Sequence, residues 1–273
     1  MTFSVVFFLI VILLIFFIII LFFIKIKKIE HYDYKDFLFY YKYCFLPYKN
    51  VEKTPIKNIM IGLPTIDRDI DLAPKMYDAL ILSMKYIRFF YNINFDIFVI
   101  TRKSDFKSIQ FWKEKSKLVL VKNYKIERRH NFIGLTKTFN KLIKKSKKYD
   151  ALFIVESDII INQQTLKKLY EKLKTNHIVC SYYNIPWCGY PFFVRDGFFP
   201  CNDNADVNNS MRILGHGTGC ILIRTEVFAH CDFTTKYFFK IQGQDIGFFL
   251  SAFKERYSTF LINDKVQHMY NRI

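Results

Sequence analysis

Residues 151–158 read Ala-Leu-Phe-Ile-Val-Glu-Ser-Asp, ALFIVESD, an apolar run that stops in two carboxylates one residue apart. A short run of Leu, Ile, Val and Phe without alternation is what a strand buried on both faces looks like. Its end places the oxygens of Glu156 and Asp158 at one point, and hard oxygen ligands of this kind suit Mg²⁺ or Mn²⁺. A strand also ends in polar residues simply where it reaches solvent. The meaning of the pair therefore depends on what surrounds it.

Upstream, similar runs recur: NIMIGL at 58–63, FDIFVIT at 95–101 and KLVLV at 117–121. Between them lie helical patterns at 73–91, 105–113 and 134–148, the last with Leu135, Phe139, Leu142, Ile143 and Ser146 on one face. Strands alternating with helices predict right-handed βαβ units and a parallel sheet. In such sheets ligands bind at the carboxyl ends of the strands. That rim would collect 64–67, 101–105 and the pair Glu156 and Asp158.

Downstream, Leu166, Leu169, Tyr170 and Leu173 predict a further amphipathic helix, followed by a strand HIVCSY at 177–182. Residues 184–212 lose periodicity and hold Pro186, Trp187, Gly189, Pro191, Gly197 and Pro200, which predicts a long functional loop. GHGTGCILIRTEVF at 215–228 reads as a glycine-rich turn entering a strand. Ile246, Phe249, Leu250 and Phe253 then mark a helix with Asp245 in its first turn, and the chain closes on STFLINDKVQHMY.

The amino end is of a different kind. Val5 to Ile24 is an unbroken apolar stretch, long enough as a helix to cross about 30 Å of hydrocarbon. It runs into Lys25, Lys27 and Lys28 with no cleavage signal, so residues 1–25 are expected to be a retained single-pass anchor. The lysine flank favours a cytoplasmic catalytic domain, with the lumenal side the alternative. Residues 26–55 read as a stalk or lead-in and 56–273 as one globular domain. The six cysteines show no metal-binding or paired spacing, and Asn208 opens an Asn-Asn-Ser acceptor that would matter only in a lumenal domain.

The formal net charge is +17. Its lysines are spread over helix faces, as in KLIKKSKKYD, so specific nucleic-acid binding is not expected; anionic lipid or a diphosphate suits the charge better.

Taken in order, these blocks resemble the GT-A fold glycosyltransferases, and among them the family-2-like enzymes, over roughly residues 56–270. The residues that carry the resemblance are IGLPT, VITRKSD, GLTKTFNKLI, VESD, GTGCILIR, GQDIGFF and VQHMY. The resemblance implies an α/β, Rossmann-like mixed but mostly parallel sheet flanked by helices. It implies a nucleotide-sugar donor, UDP- or GDP-linked, a Mn²⁺ or Mg²⁺ ion, and a glycan, lipid or protein acceptor. Position by position it implies Asp158, His268 and, less directly, Glu156 as metal ligands, with Ser157 in the same motif. Asp245 matches the general base of inverting members. Pro64, Asp67, Arg102 and Asp105 fall where the nucleoside is held, and Arg128 and Arg129 where the diphosphate lies. Trp187, Tyr182 and Tyr183 would stack on the acceptor, and Gly217, Thr218 and Gly219 would line its approach. Two departures stand out: the acidic motif is ESD rather than DxD, and the base motif is QD rather than ED. Two other readings remain: a catalytically degenerate, membrane-tethered binding protein with a basic surface, and a sugar nucleotidyltransferase, against which IGLPTIDRD lacks a glycine-rich phosphate loop.

Overall fold

The computed structural model describes residues 46–122, 128–183, 193–195, 211–234 and 244–269. The expected anchor at 5–24 lies outside them, and among the described residues no helix is long and apolar enough to cross a membrane.

The chain first enters β1 (Asn58–Pro64), whose interior residues are all buried. Odd positions Ile59, Ile61 and Leu63 pack into one core, while Met60 packs into the other. This two-sided burial is why the strand reads as continuously apolar. A short 3-10 helix (Asp67–Leu72) leads into α1 (Ala73–Phe90), which has a proline in its first turn, where the missing N–H costs nothing. Its buried residues Met76, Leu80, Met84 and Ile87 recur at helical spacing, so α1 lies on the first core. Then follow β2 (Asn94–Arg102), α2 (Phe106–Trp112), β3 (Lys117–Val121), α3 (Arg128–Ser146) and β4 (Ala151–Val155). β1 lies between β2 and β4, parallel to both, with Gly62 opposite Phe98 on one side and Ile154 on the other. α3 begins six residues before the expected Gly134, because the polar stretch from Arg128 carries no apolar stripe by which a helix could be read.

After β4 come β5 (Ile159–Ile160), α4 (Thr165–Leu173), β6 (Ile178–Tyr182), β7 (Phe193–Arg195), β8 (Met211–His216), β9 (Cys220–Arg224), a 3-10 helix (Thr225–Ala229), α5 (Gln244–Lys254), β10 (Thr259–Lys265) and β11 (Gln267–His268). The main sheet has the order β3-β2-β1-β4-β9-β6-β10-β8-β7. β9 is inserted antiparallel between β4 and β6, and β8 is antiparallel to β10 at the far side. The sheet is thus mixed, with most strands running one way. Two expectations are corrected here. The segment expected to be an unbroken loop over 184–212 contributes β7 and the start of β8, and the glycine-rich turn is confined to 217–219 because Gly215 belongs to β8.

One core holds α1, α4 and Trp112 against the sheet; the other holds Phe139 of α3, Phe233 and Phe248, whose rings stack at 4.7 and 4.6 Å between centroids. Asn140 of α3 ties these layers together, donating to the Phe233 carbonyl at 2.8 Å and accepting from its N–H at 2.9 Å. Cys180, Cys220 and Cys231 are free thiols buried in this fold. The elements belong to one compact unit, residues 43–238 and 242–273.

Candidate active site

The parallel strands β1, β2 and β4 end together, and antiparallel β9 begins beside them, with Val155 opposite Cys220. The turn before β9 therefore abuts the acidic end of β4. Glu156 N–H donates to the Gly219 carbonyl at 2.9 Å, and the Thr218 hydroxyl donates to Glu156 Oε1 at 2.8 Å. Gly219 has no room for a side chain: a Cβ there would lie 2.9 Å from Cζ of Tyr183, whose hydroxyl accepts from Gly219 N–H at 3.2 Å.

Asp158 is brought to His268 by the two-stranded sheet of β5 and β11, which pairs His268 with Ile159. That pairing is held in place from behind. Thr165 and Lys168 of α4 bind the buried Asp264 of β10 at 2.6 and 2.7 Å, and the Asn162 amide donates to the Lys265 carbonyl at 2.9 Å. The result sets His268 Nε2 3.2 Å from Asp158 Oδ2, with Met269 N–H donating to the Asp158 carbonyl at 2.6 Å. The His268 ring packs edge-on against Tyr183, which packs edge-on against His216.

Burial pushes the Glu156 carboxyl up to about 7. Asp158 and then Asp245 push the same way, while the Thr218 hydrogen bond and His268 oppose them. Asp245 is thus an electrostatic neighbour of the pair, half-buried in the first turn of α5. α5 sits close because of Gly247, where a Cβ would lie 1.8 Å from the Thr234 carbonyl oxygen.

Ser157 points elsewhere. Its hydroxyl donates to Asp69 at 2.8 Å, and both residues are buried, so the acidic motif is bonded to the segment that follows β1. Asp69 escaped the sequence reading because nothing in DRDID distinguishes it from Asp67.

A second group lies along the same rim. Arg102 grips Asp105 through both Nε and Nη2, at 2.8 and 2.7 Å, and Thr101 donates to the same carboxylate at 3.2 Å. Burial alone would raise the Asp105 carboxyl, but the hydrogen bonds and charge of Arg102 outweigh it and hold it below the ordinary range. Asp67 adds to the field on Arg102, while its carboxylate caps α2 by accepting from Ser108 N–H at 2.8 Å. Pro64 is half-buried at the end of β1, and the adjacent Thr65 hydroxyl is buried without a hydrogen-bond partner.

The predicted residues therefore gather in two clusters: Glu156, Asp158, Thr218, Gly219, Asp245 and His268 in one, and Asp67, Arg102 and Asp105 in the other. Gly217 opens the turn that carries Thr218. The backbone of Arg128 and Arg129 starts α3, and their side chains lie outside the described set, as does Trp187. Tyr182 and Tyr183, expected to face an acceptor sugar, are both buried, and Tyr183 instead joins the first cluster through its ring; His216, on the other side of that ring, was not singled out by the sequence.

No family model matches the chain, and no curated protein sequence matches it. Solved structures do. The crystal structure of GalNAc-T7 with UDP, GalNAc and Mn²⁺ superposes with a TM-score of 0.52 at 12% identity, covering 79% of this chain and 44% of that one. S. aureus TarS 1-349 gives a TM-score of 0.49 at 13% identity, covering 78% and 60%. The 4-diphosphocytidyl-2C-methyl-D-erythritol synthase of Anaerococcus prevotii gives 0.41 at 13%, covering 80% and 89%. At 12% identity the likeness to GalNAc-T7 speaks to fold alone, and that fold is GT-A glycosyltransferase-like.

Proposed function

We propose that the chain is a metal-dependent glycosyltransferase that moves a sugar from a UDP- or GDP-sugar to a hydroxyl of a glycan, lipid or protein acceptor. The observation that carries the proposal is the convergence of Glu156, Asp158, Asp245 and His268 on one rim of the sheet, with Glu156 pushed up to about 7 by burial and, after it, by its carboxylate neighbours. Two carboxylates crowded in this way favour a cation between them.

The donor set fits a hard divalent ion such as Mn²⁺ or Mg²⁺: carboxylate oxygens with one imidazole. Among the described residues no three His, Cys, Asp or Glu side chains form a ready-made cage. Asp158 and His268 would hold the ion, and the donor's phosphates would complete its shell. When bound, the ion supplies Lewis-acid stabilisation of the departing diphosphate. The chain's own residues do the rest. Asp245 takes the proton from the acceptor hydroxyl. The acceptor oxygen bonds to the anomeric carbon as the carbon–oxygen bond to the diphosphate breaks and the nucleoside diphosphate leaves with the electron pair. Attack from the face opposite the leaving group gives inversion. Thr218 keeps Glu156 oriented, and the Arg102–Asp105 fork shapes the nucleoside end of the rim.

The test is a panel of UDP- and GDP-sugars with the full chain in Mn²⁺, following hydrolysis and transfer. One donor is expected to turn over, and Asp158→Asn should lower that turnover by more than about 100-fold with the fold intact. Absence of metal-dependent binding to every donor would sink the proposal. The two departures in the motifs, ESD for DxD and QD for ED, favour one second reading, a catalytically degenerate domain that binds without turnover. Binding without turnover in the unaltered chain would select it.

A further inference from the structure

At the opposite end of the sheet from the candidate active site, α1 ends in a ridge of uncovered rings. Phe89 is 85% exposed and Phe90 47%, and Leu82, seven residues before Phe89 and therefore on the same stripe, is 48% exposed. Tyr86 lies between them, its ring edge-on to Phe90 at 5.2 Å, and Phe89 meets Phe90 at 5.3 Å. Residues 88–94 line an open groove beside the ridge. A monomer in water gains nothing from leaving such rings together on its surface.

The charges around the ridge are predominantly positive. Lys167 Nζ lies 4.7 Å over the Phe90 ring, Lys174 Nζ 4.3 Å over Tyr91, and the Arg88 guanidinium 5.3 Å over Phe95. Lys85 is exposed one turn before Phe89. The acid nearest to hand, Glu171, is taken up by Lys167 at 2.9 Å and the Tyr91 hydroxyl at 3.0 Å. Asp78, the acid on the stripe itself, lies a turn before Leu82, toward the other end of α1.

The ridge also lies where the chain enters the unit. From Leu46 the lead-in passes the start of β10, where Lys49 N–H donates to the Arg256 carbonyl at 2.8 Å. It reaches the start of β1, where Asn94 N–H donates to the Lys57 carbonyl at 2.7 Å. Both points are at the amino ends of parallel strands, and Asn94 follows the ridge by four residues. Upstream of Leu46 the sequence contains the apolar stretch Val5 to Ile24 with its lysine flank.

We infer that the Leu82–Phe90 ridge is a membrane-interface docking surface, which seats its rings among the headgroups of an anionic bilayer while Lys85, Arg88, Lys167 and Lys174 meet the lipid phosphates. Aromatic rings at the headgroup level and cations that extend along apolar surface are the chemistry of that boundary. Charge disfavours a second copy as occupant, since self-association would press two sets of these cations together in a chain of net charge +17. Docked in this way, the unit holds its candidate active site about 20 Å away from the lipid surface, the length of β1.

The test places a fluorescent reporter on the ridge of the full chain. Phe89→Trp, with Phe106→Trp as the control, is added to vesicles of phosphatidylcholine with about one-third phosphatidylglycerol carrying brominated acyl chains. Phe106 is 74% exposed and opens α2 at the active-site end, so neither change disturbs packing. The stretch at 5–24 brings every variant to the vesicle equally, so only position distinguishes them. Emission above that of the parent chain should be blue-shifted and at least half quenched for Phe89→Trp, unquenched for Phe106→Trp, and the quenching should fall about fivefold or more in phosphatidylcholine alone. Equal quenching at both positions would overturn the inference. So would a blue shift of Phe89→Trp that grows with protein concentration without lipid, which would identify a second copy as the cover.

Discussion

Two buried imidazoles make this fold sensitive to acid. His177 accepts from Ser258 N–H through Nδ1 at 3.1 Å, and His216 places Nδ1 2.7 Å from the Gly217 carbonyl, which leaves its Nε2 buried and unpartnered. Burial lowers both to about 4. In the unfolded chain they titrate near 6.5, so between these values the unfolded state binds more protons and each imidazole contributes stability that is full above about 6.5 and lost as the pH falls to 4. For His216 the loss is about 3 kcal/mol. Urea midpoints measured at pH 7.5, 5.5 and 4.5 should fall in that order, and His216→Gln should flatten the curve. The same residue scale shows what the sequence could not display. Arg102 and Asp105 were legible as polar residues at a strand end, but a bidentate fork depends on side-chain geometry that sequence does not carry. The Ser157–Asp69 bond spans 88 positions, and each partner taken separately looks ordinary.

At the scale of elements, strands β1 to β4 were legible because burial on both faces writes itself as an apolar run, and their helices because the apolar stripe recurs at helical spacing. β5 and β11, two residues each, were not, since no periodicity fits in so short a span. Yet they carry His268 to Asp158. Because Met269 N–H bonds the Asp158 carbonyl, the antiparallel alternation makes Gln267 and Ile160 the next bonded pair. Gln267→Pro removes that N–H and should free His268 from Asp158. The expected result is a loss of Mn²⁺ affinity of about tenfold or more, read by calorimetry, with only a few degrees off the melting temperature. An unchanged affinity would show that the pairing has no part in holding the ion. β9 was legible as a strand but not as an antiparallel one, because both orientations in a sheet centre are equally apolar.

For the whole molecule, the sheet separates two ends with different chemistry: carboxylates at the carboxyl rim, and rings with cations at the amino rim, where the lead-in arrives. The formal charge of +17 was legible from composition, but its placement was not. A ligand that binds only the folded unit must raise its melting temperature. The correct nucleotide-sugar at about 100 times its Kd should add about 2.7 kcal/mol, a rise of roughly 5–11 °C. With Mn²⁺ present, a thermal-shift screen should show that rise for one donor class and lose it on chelation.

The position of β9 also bears on how the chain is made. β4 and β6 are consecutive long strands in sequence, but β9 lies between them, so they cannot join until residue 224 has been synthesised. Until then the β4 edge, ALFIV, lacks the strand that covers it in the folded sheet. An apolar edge left open for that long is a template for the wrong neighbour. A transcript interrupted before codon 220 would therefore yield a sticky fragment rather than a smaller folded protein, and the timing of translation across 156–224 becomes part of what this sequence has to manage.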